Sequence, residues 1–145
     1  MGVFFGSAVI GCLASFLGVK KLEKKRAEEV LLKFKDKKIY GISSSANFFG
    51  QESLGMAQVR GNGVLVLTEN ELFFQMWAPR KELSIKNTDI REVKIPRTFL
   101  GKTKGKLLLN VLFKNKKGNV DSAAWLVNNL SDWQSAIDKI VKAGE

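Results

Sequence analysis

The clustered cations are the residues of this chain best suited to do chemistry. Residues 20–38 hold nine lysines and arginines against four acids, and residues 91–117 hold nine against one. Within the second cluster, Lys102, Lys104 and Lys106 alternate with Thr and Gly in a short loop. Clustered positive charge of this kind favours an anionic partner: a lipid headgroup, a nucleic acid or an acidic protein. A solvated, solubilising surface is the alternative interpretation.

The segment Gly101-Lys102-Thr103 ends like a phosphate-binding P-loop. That motif needs a glycine five positions before its Gly-Lys pair, and this position is Pro96. A P-loop also leads into a helix, whose N-terminus holds the phosphate, whereas the residues that follow here alternate like a strand. We therefore expect no nucleotide site.

Other catalytic constellations are missing from the sequence. Histidine is absent and Cys12 is the single cysteine, which excludes Cys/His zinc sites, Ser-His-Asp and Cys-His pairs, and structural disulfides. The carboxylates are scattered over turns and polar strand positions, and no pair stands out as an acid/base couple. We expect a non-enzymatic protein without metal or cofactor.

The N-terminal segment, residues 2–19, is 18 residues long and uncharged. As a helix it would extend about 27 Å, close to the ~30 Å of a bilayer core. We predict a transmembrane anchor helix over residues 1–19. Lysines follow it and none precede it, so the positive-inside rule puts the following domain on the cytoplasmic side.

The N-terminal segment has several alternative interpretations. A cleaved signal peptide would carry cations before its apolar stretch, and residues 9–12 resemble a lipoprotein box that lies too early. Myristoylation requires Ser or Thr where Gly6 stands. A buried helix of a soluble domain is the structural alternative. Ser7, Gly11 and Ser15 share one helix face and could support weak self-association.

Residues 20–38 contain no glycine or proline and are rich in helix-forming residues. We predict a basic helical stalk between the bilayer and the domain. Its cations could attract anionic lipids near the membrane surface, at about 1 kcal/mol each. The ones expected to do so are Lys20, Lys21, Lys24, Lys25 and Arg26.

Residues 39–145 are predicted to form the folded domain. The apolar period becomes two and the runs shorten to strand length, which indicates seven short strands. The period returns to 3.6 after Ser131, where Trp133, Ile137 and Ile140 share one helix face. A mainly β fold follows: a curled antiparallel sheet or barrel, capped by a C-terminal helix.

This order of elements resembles the pleckstrin-homology superfold in its GRAM-like or bacterial PH-like branch. The segment from Gly61 to Phe74, with VLVLT, an acidic turn and LFF, is similar to a hairpin of GRAM-like domains. The resemblance implies a recognition module for lipid or protein, without catalysis. Phosphoinositide-binding members keep their cations around the first hairpin loop. Here that loop, residues 50–60, holds only Arg60, a departure that counts against a high-affinity phosphoinositide pocket.

We therefore predict that the domain contacts an anionic lipid or a membrane-associated partner through a different basic loop. Its candidate residues are Lys94, Arg97, Lys102, Lys104 and Lys106. The adjacent pair Phe99 and Leu100 is predicted to enter the membrane interface, with packing on the barrel as the alternative.

The leading hypothesis for function is a membrane-anchored binding module. The alternative is a protein–protein scaffold that docks through a sheet edge or an apolar groove. Nucleic acid is an unlikely partner, because no nucleic-acid-binding motif accompanies the basic clusters.

Overall fold

Short apolar runs form the strands of this protein, some alternating with polar residues and some buried on both faces, and an amphipathic stretch forms its C-terminal helix. The structure is a computed structural model that describes residues 4–5 and 14–144. The strands are β1 (Phe4–Phe5), β2 (Ile39–Gln51), β3 (Gly61–Thr68), β4 (Glu71–Met76), β5 (Glu82–Lys86), β6 (Ile90–Lys94), β7 (Thr98–Phe99), β8 (Lys102–Thr103), β9 (Leu109–Lys114) and β10 (Val120–Leu126). The helices are α1 (Ala14–Lys33) and α2 (Leu130–Ala143).

Seven of these strands form one antiparallel sheet in the order β5-β4-β3-β2-β10-β9-β6. The predicted mainly β fold, with a seven-stranded antiparallel sheet and a C-terminal helix, is confirmed. The short β1 adds to β2 in parallel orientation, and β7 pairs with β8 in a separate hairpin.

The long strand β2 pairs with two neighbours on opposite sides. It pairs with β3 from Ile39 to Phe48 and with β10 from Asn47 to Gln51, with irregular register in both ladders. Interrupted register bends a strand and raises its twist. In this way β2 carries the sheet from the β3–β5 half into the β10–β6 half.

The main hydrophobic core lies on the face of the sheet that we call the inner face. Trp125 packs there on Phe48 and Phe74, with ring centroids 5.7 and 5.8 Å from that of Trp125. Helix α2 covers this core with Trp133 and Ile137, both fully buried. The 3.6-residue spacing of these two side chains explains why the segment is a helix and which side of it faces the sheet.

Helix α1 packs on the opposite, outer face of β2, β3 and β4. Its Val30 and Phe34 are buried against Ile42 and Phe73, and the Phe34 and Phe73 rings lie 5.2 Å apart, edge to face. The residues predicted to form a stalk, 20–38, therefore include side chains that pack on the domain. The helix ends at Lys33 and contributes apolar side chains to a second core cluster, because its opposing strands present apolar residues on both faces.

The predicted anchor over residues 1–19 lies largely outside the described residues. Within it, Phe4 and Phe5 form β1 and the helix begins at Ala14. Across the ranges that the structure describes, no helix is both long and apolar enough to span a bilayer. The face predicted for self-association, Ser7, Gly11 and Ser15, lies outside the described side chains.

Gly63 marks a point where the backbone of β3 is crowded. A Cβ placed there would lie 2.4 Å from the Gln75 carbonyl oxygen and 2.5 Å from the Phe74 ring. We expect Gly63→Ala to reduce the free energy of unfolding by about 2 kcal/mol through overpacking, measured by urea denaturation. Gly61→Ala is the matched control, because among the described residues its Cβ would meet only the Met76 side chain, at 3.5 Å from Sδ and 3.8 Å from Cγ. Equal stability of the two variants would contradict the proposed crowding.

Candidate functional site

A groove of about 570 Å³ opens between the start of β3 and the β7–β8 hairpin. Three cationic residues line it: Arg60, Lys102 and Lys104. Asn47 and Thr103 contribute polar groups, and Phe48 and Phe49 of β2 complete the lining. No carboxylate is among the described residues that line the groove. This arrangement is suited to an anion.

The β7–β8 hairpin presents Lys102 to the groove. Its two connecting residues, Leu100 and Gly101, have φ angles of 51° and 74°, as a tight type I′ connection requires. Thr103 Oγ1 donates to the carbonyl of Arg97 (2.9 Å) and accepts from the amide of Gly105 (2.9 Å). These bonds hold the loop that carries the exposed lysines in a defined shape.

Phe99 anchors this hairpin to the outer face of the sheet. It is 7% exposed and forms a third core cluster with Phe49, Leu108 and Ala124, against which Leu100 also packs. The prediction that Phe99 enters a membrane interface therefore does not match its position, because its ring is already buried in the protein. The alternative, packing on the sheet, describes its placement.

Arg60 holds the β2–β3 loop (residues 52–60) and faces the groove at the same time. Its Nε donates to the Phe49 carbonyl (2.7 Å), and its Nη1 donates to the carbonyls of Met56 (2.9 Å) and Gln58 (3.2 Å). Its Nη2 is shielded from solvent and has no hydrogen-bond partner. The N–H donors of Nη2 are thus not used by the described residues of the protein.

Asp121 fixes the other end of the β2–β3 loop. The buried carboxylate accepts from Gln51 Nε2 (2.7 Å), from the amide and hydroxyl of Ser53 (3.0 and 2.6 Å) and from the Ser122 amide (2.8 Å). Burial alone would raise the pKa of Asp121, but these hydrogen bonds to the charged form outweigh it and lower the pKa. Asp121 is therefore a structural anchor of the loop.

The remaining predicted cations do not line the groove. Lys94, Arg97 and Lys106 are exposed beside it or on β6. On α1, Lys21, Lys24 and Lys25 are exposed and Lys20 is half-buried.

Arg26 is committed to the fold. Its side chain is 12% exposed and pairs with Glu29 (3.0 Å), and its Nε donates to the Trp77 carbonyl (2.8 Å). Two of its guanidinium nitrogens are thus engaged within the protein, Nε at the helix–sheet interface and Nη1 within α1. This placement does not favour the predicted contact of Arg26 with lipid.

Sequence reasoning missed Arg60 as a partner of the lysine loop. Arg60 is a single cation in its loop and lies 42 residues before Lys102, so the sequence does not show that they share a groove. The position of Arg60 directly before Gly61, at the start of a predicted strand, was the sequence signal that could have indicated its role.

Comparison with known proteins adds a fold match. No family model matches the chain, and no curated protein matches it either. The C-terminal domain of an unknown protein from Leishmania infantum, known from its crystal structure, is similar in fold, with a TM-score of 0.54 and 13% sequence identity. The match covers 81% of this chain and 96% of that domain. At this identity the similarity concerns the fold alone.

The lowered pKa of Asp121 makes stability depend on pH in a defined direction. Its contribution is present above the unfolded-state pKa, near pH 4, and is lost as the pH falls through the lower folded-state pKa. We expect Asp121→Asn to cost about 2 kcal/mol at pH 7, because donors now face an amide. The difference from the unmodified protein should shrink toward pH 3.

Urea midpoints at pH 7 and pH 3 would measure this effect. Asp36→Asn is the matched control, since it removes the same formal charge from an exposed turn. A difference for Asp121→Asn that stays constant over this pH range would contradict the assigned role.

Proposed function

We propose that this protein is a membrane-associated recognition module that binds an anionic lipid headgroup in the groove between the β2–β3 loop and the β7–β8 hairpin. One observation carries the proposal: Arg60, with an unpartnered Nη2, lies with Lys102 and Lys104 in a groove lined without carboxylates.

The energetics of Arg60 favour an anion. A donor withheld from water without a partner costs about 1–3 kcal/mol, and an anionic acceptor removes that cost with a charge-assisted bond. The two lysines add flexible point charges that can adjust to phosphate or carboxylate groups. Because both lysines are exposed, their part of the affinity should fall with salt.

The fold supports recognition without catalysis. We assign the sheet order β5-β4-β3-β2-β10-β9-β6, closed by α2, to the PH-like kind suggested by the sequence. The GRAM-like resemblance of residues 61–74 falls on the β3–β4 hairpin. On this assignment the domain acts as a binding module and not as an enzyme.

The path of α1 favours a membrane-facing groove. Arg26 bonds the Trp77 carbonyl, Glu29 accepts from Gln75 (3.4 Å), and Lys33 Nζ lies 4.2 Å from the Phe73 ring centroid. Successive residues of α1 thus contact earlier and earlier residues of β4 and the position after it, so the helix is antiparallel to β4. Its N-terminal end points to the end of the sheet where β3 starts at Gly61, beside the groove.

The N-terminal end of α1 would therefore face the same bilayer as the groove, on its cytoplasmic side. The exposed lysines of α1, Lys21, Lys24 and Lys25, would add attraction to anionic lipids.

A second candidate, protein docking through a sheet edge, is favoured by one observation. Strands β5 and β6 end the sheet and are each paired on one side only. Free strand edges can accept an additional strand from a partner. Such docking would not depend on the groove lysines, Lys102 and Lys104.

Charge reversal separates these candidates. We expect Lys102→Glu with Lys104→Glu to lower binding of the full chain to anionic vesicles, relative to neutral ones, by at least about tenfold, because two attractive charges become repulsive. Flotation at limiting lipid and two salt concentrations measures the ratio, and the neutral vesicles account for any contribution of the N-terminal segment.

Lys139→Glu with Lys142→Glu is the matched control. It makes the same charge change at exposed positions of α2, away from the groove. If both double variants change the ratio equally, the groove is not the lipid site, and edge docking becomes the better candidate.

A further inference from the structure

The β2–β3 loop exposes apolar side chains beside the cationic groove. Leu54, Met56 and Val59 are 46, 62 and 48% exposed within a span of six residues. Elsewhere among the described side chains, large exposed apolar residues are single or in pairs. Contiguous exposed apolar surface next to a binding site marks an interaction surface.

Several backbone groups in and beside this loop are hydrogen-bonded by the loop's own side chains, Gln58 and Arg60. Gln58 Oε1 accepts from the Gln51 amide (2.8 Å), and Gln58 Nε2 donates to the carbonyls of Gln51 (2.9 Å) and Gly55. Arg60 donates to the carbonyls of Met56 and Gln58. A loop that keeps its carbonyls bonded internally can enter a low-dielectric layer at much lower cost than one that relies on water.

The apolar loop and the basic hairpin form one continuous surface. A Cβ placed on Gly101 would lie 3.5 Å from Met56 Cε, so the Met56 side chain reaches the residue next to Lys102. Arg60 belongs to the loop and lines the groove with Lys102 and Lys104. Apolar side chains flanked by cations match the layered chemistry of an anionic bilayer, with charged headgroups outside and acyl chains beneath.

We propose that the β2–β3 loop inserts Leu54, Met56 and Val59 into the acyl boundary of an anionic bilayer while the groove holds a headgroup. This inference rests on the proposed function and assigns to this loop the insertion that sequence analysis placed at Phe99 and Leu100. The occupant is a bilayer and not a protein surface, because the apolar patch lies beside the cations of the groove and four carbonyls of the loop are bonded internally.

A label at position 56 tests the insertion. The full chain with Cys12→Ser and Met56→Cys carries an environment-sensitive NBD fluorophore and is mixed with vesicles of phosphatidylcholine, with or without phosphatidylserine. We expect a blue-shifted, stronger emission on the anionic vesicles and quenching by nitroxide lipids labelled in the acyl chain. The same label at Ser135→Cys, an exposed position of α2, should keep its aqueous spectrum.

The outcomes separate insertion from headgroup binding. If the protein prefers anionic vesicles while the position-56 label stays aqueous, the insertion is wrong and the proposed function stands. If the protein shows no preference for anionic vesicles, the proposed function fails and the insertion fails with it.

Serine substitutions give an independent measurement. Leu54→Ser, Met56→Ser and Val59→Ser together should weaken partition into anionic vesicles about tenfold or more. They should leave the binding of inorganic pyrophosphate, followed by the amide NMR shifts of Gly61 and Gly101, unchanged.

Lys102→Glu with Lys104→Glu should weaken both kinds of binding. Should the triple variant fold poorly, Met56→Ser alone serves, since Met56 is exposed and its loss removes little packing. Unchanged partition of these serine variants would overturn the insertion.

Discussion

The double pairing of β2 organises the rest of the structure. Its hydrogen bonds to β3 and to β10 fix which side chains of one bent strand face inward and which face outward. Phe48 points into the main core, 5.1 Å from the Phe74 ring centroid, while its neighbour Phe49 lies under the β7–β8 hairpin. The groove therefore lies against a strand whose inner side is packed core, and its shape is set by that packing.

Two ionic groups hold the loop above this strand, the buried Asp121 and the half-buried Arg60, and they differ in how fully they are hydrogen-bonded. The Asp121 carboxylate is fully engaged, since it accepts four hydrogen bonds. The Arg60 guanidinium makes three bonds to carbonyls and leaves Nη2 unpartnered at the groove. An unpartnered donor costs free energy unless an acceptor reaches it. Asp121 thus adds to the stability of the loop, whereas Arg60, a residue of the groove lining, keeps one nitrogen that the described residues do not use.

The period of the sequence predicted the strands and the C-terminal helix, because both bury a regular face. The apolar period of the sequence did not predict the packing of α1 on the sheet. Its buried stripe is narrow and includes Glu23, and a charged residue is acceptable there only because Ser44 of β2 donates a hydrogen bond to it. The groove was equally hidden, since Arg60 and Lys102 meet only after the hairpin folds back over β2. The exposure of Met56 depends on how the loop of residues 50–60 folds, which its residue types do not determine.

Part of the outer face of the sheet is left uncovered by the rest of the domain. Helix α1 covers it over Ile42, and the β7–β8 hairpin covers it over Phe49. Between them, near Asn47, the face stays open and three cations surround the opening. Like charges held together repel one another and destabilise the fold unless an anion joins them. Local choices that oppose stability are expected at functional sites, so this uncovered strip is the part of the domain that is best explained by a ligand.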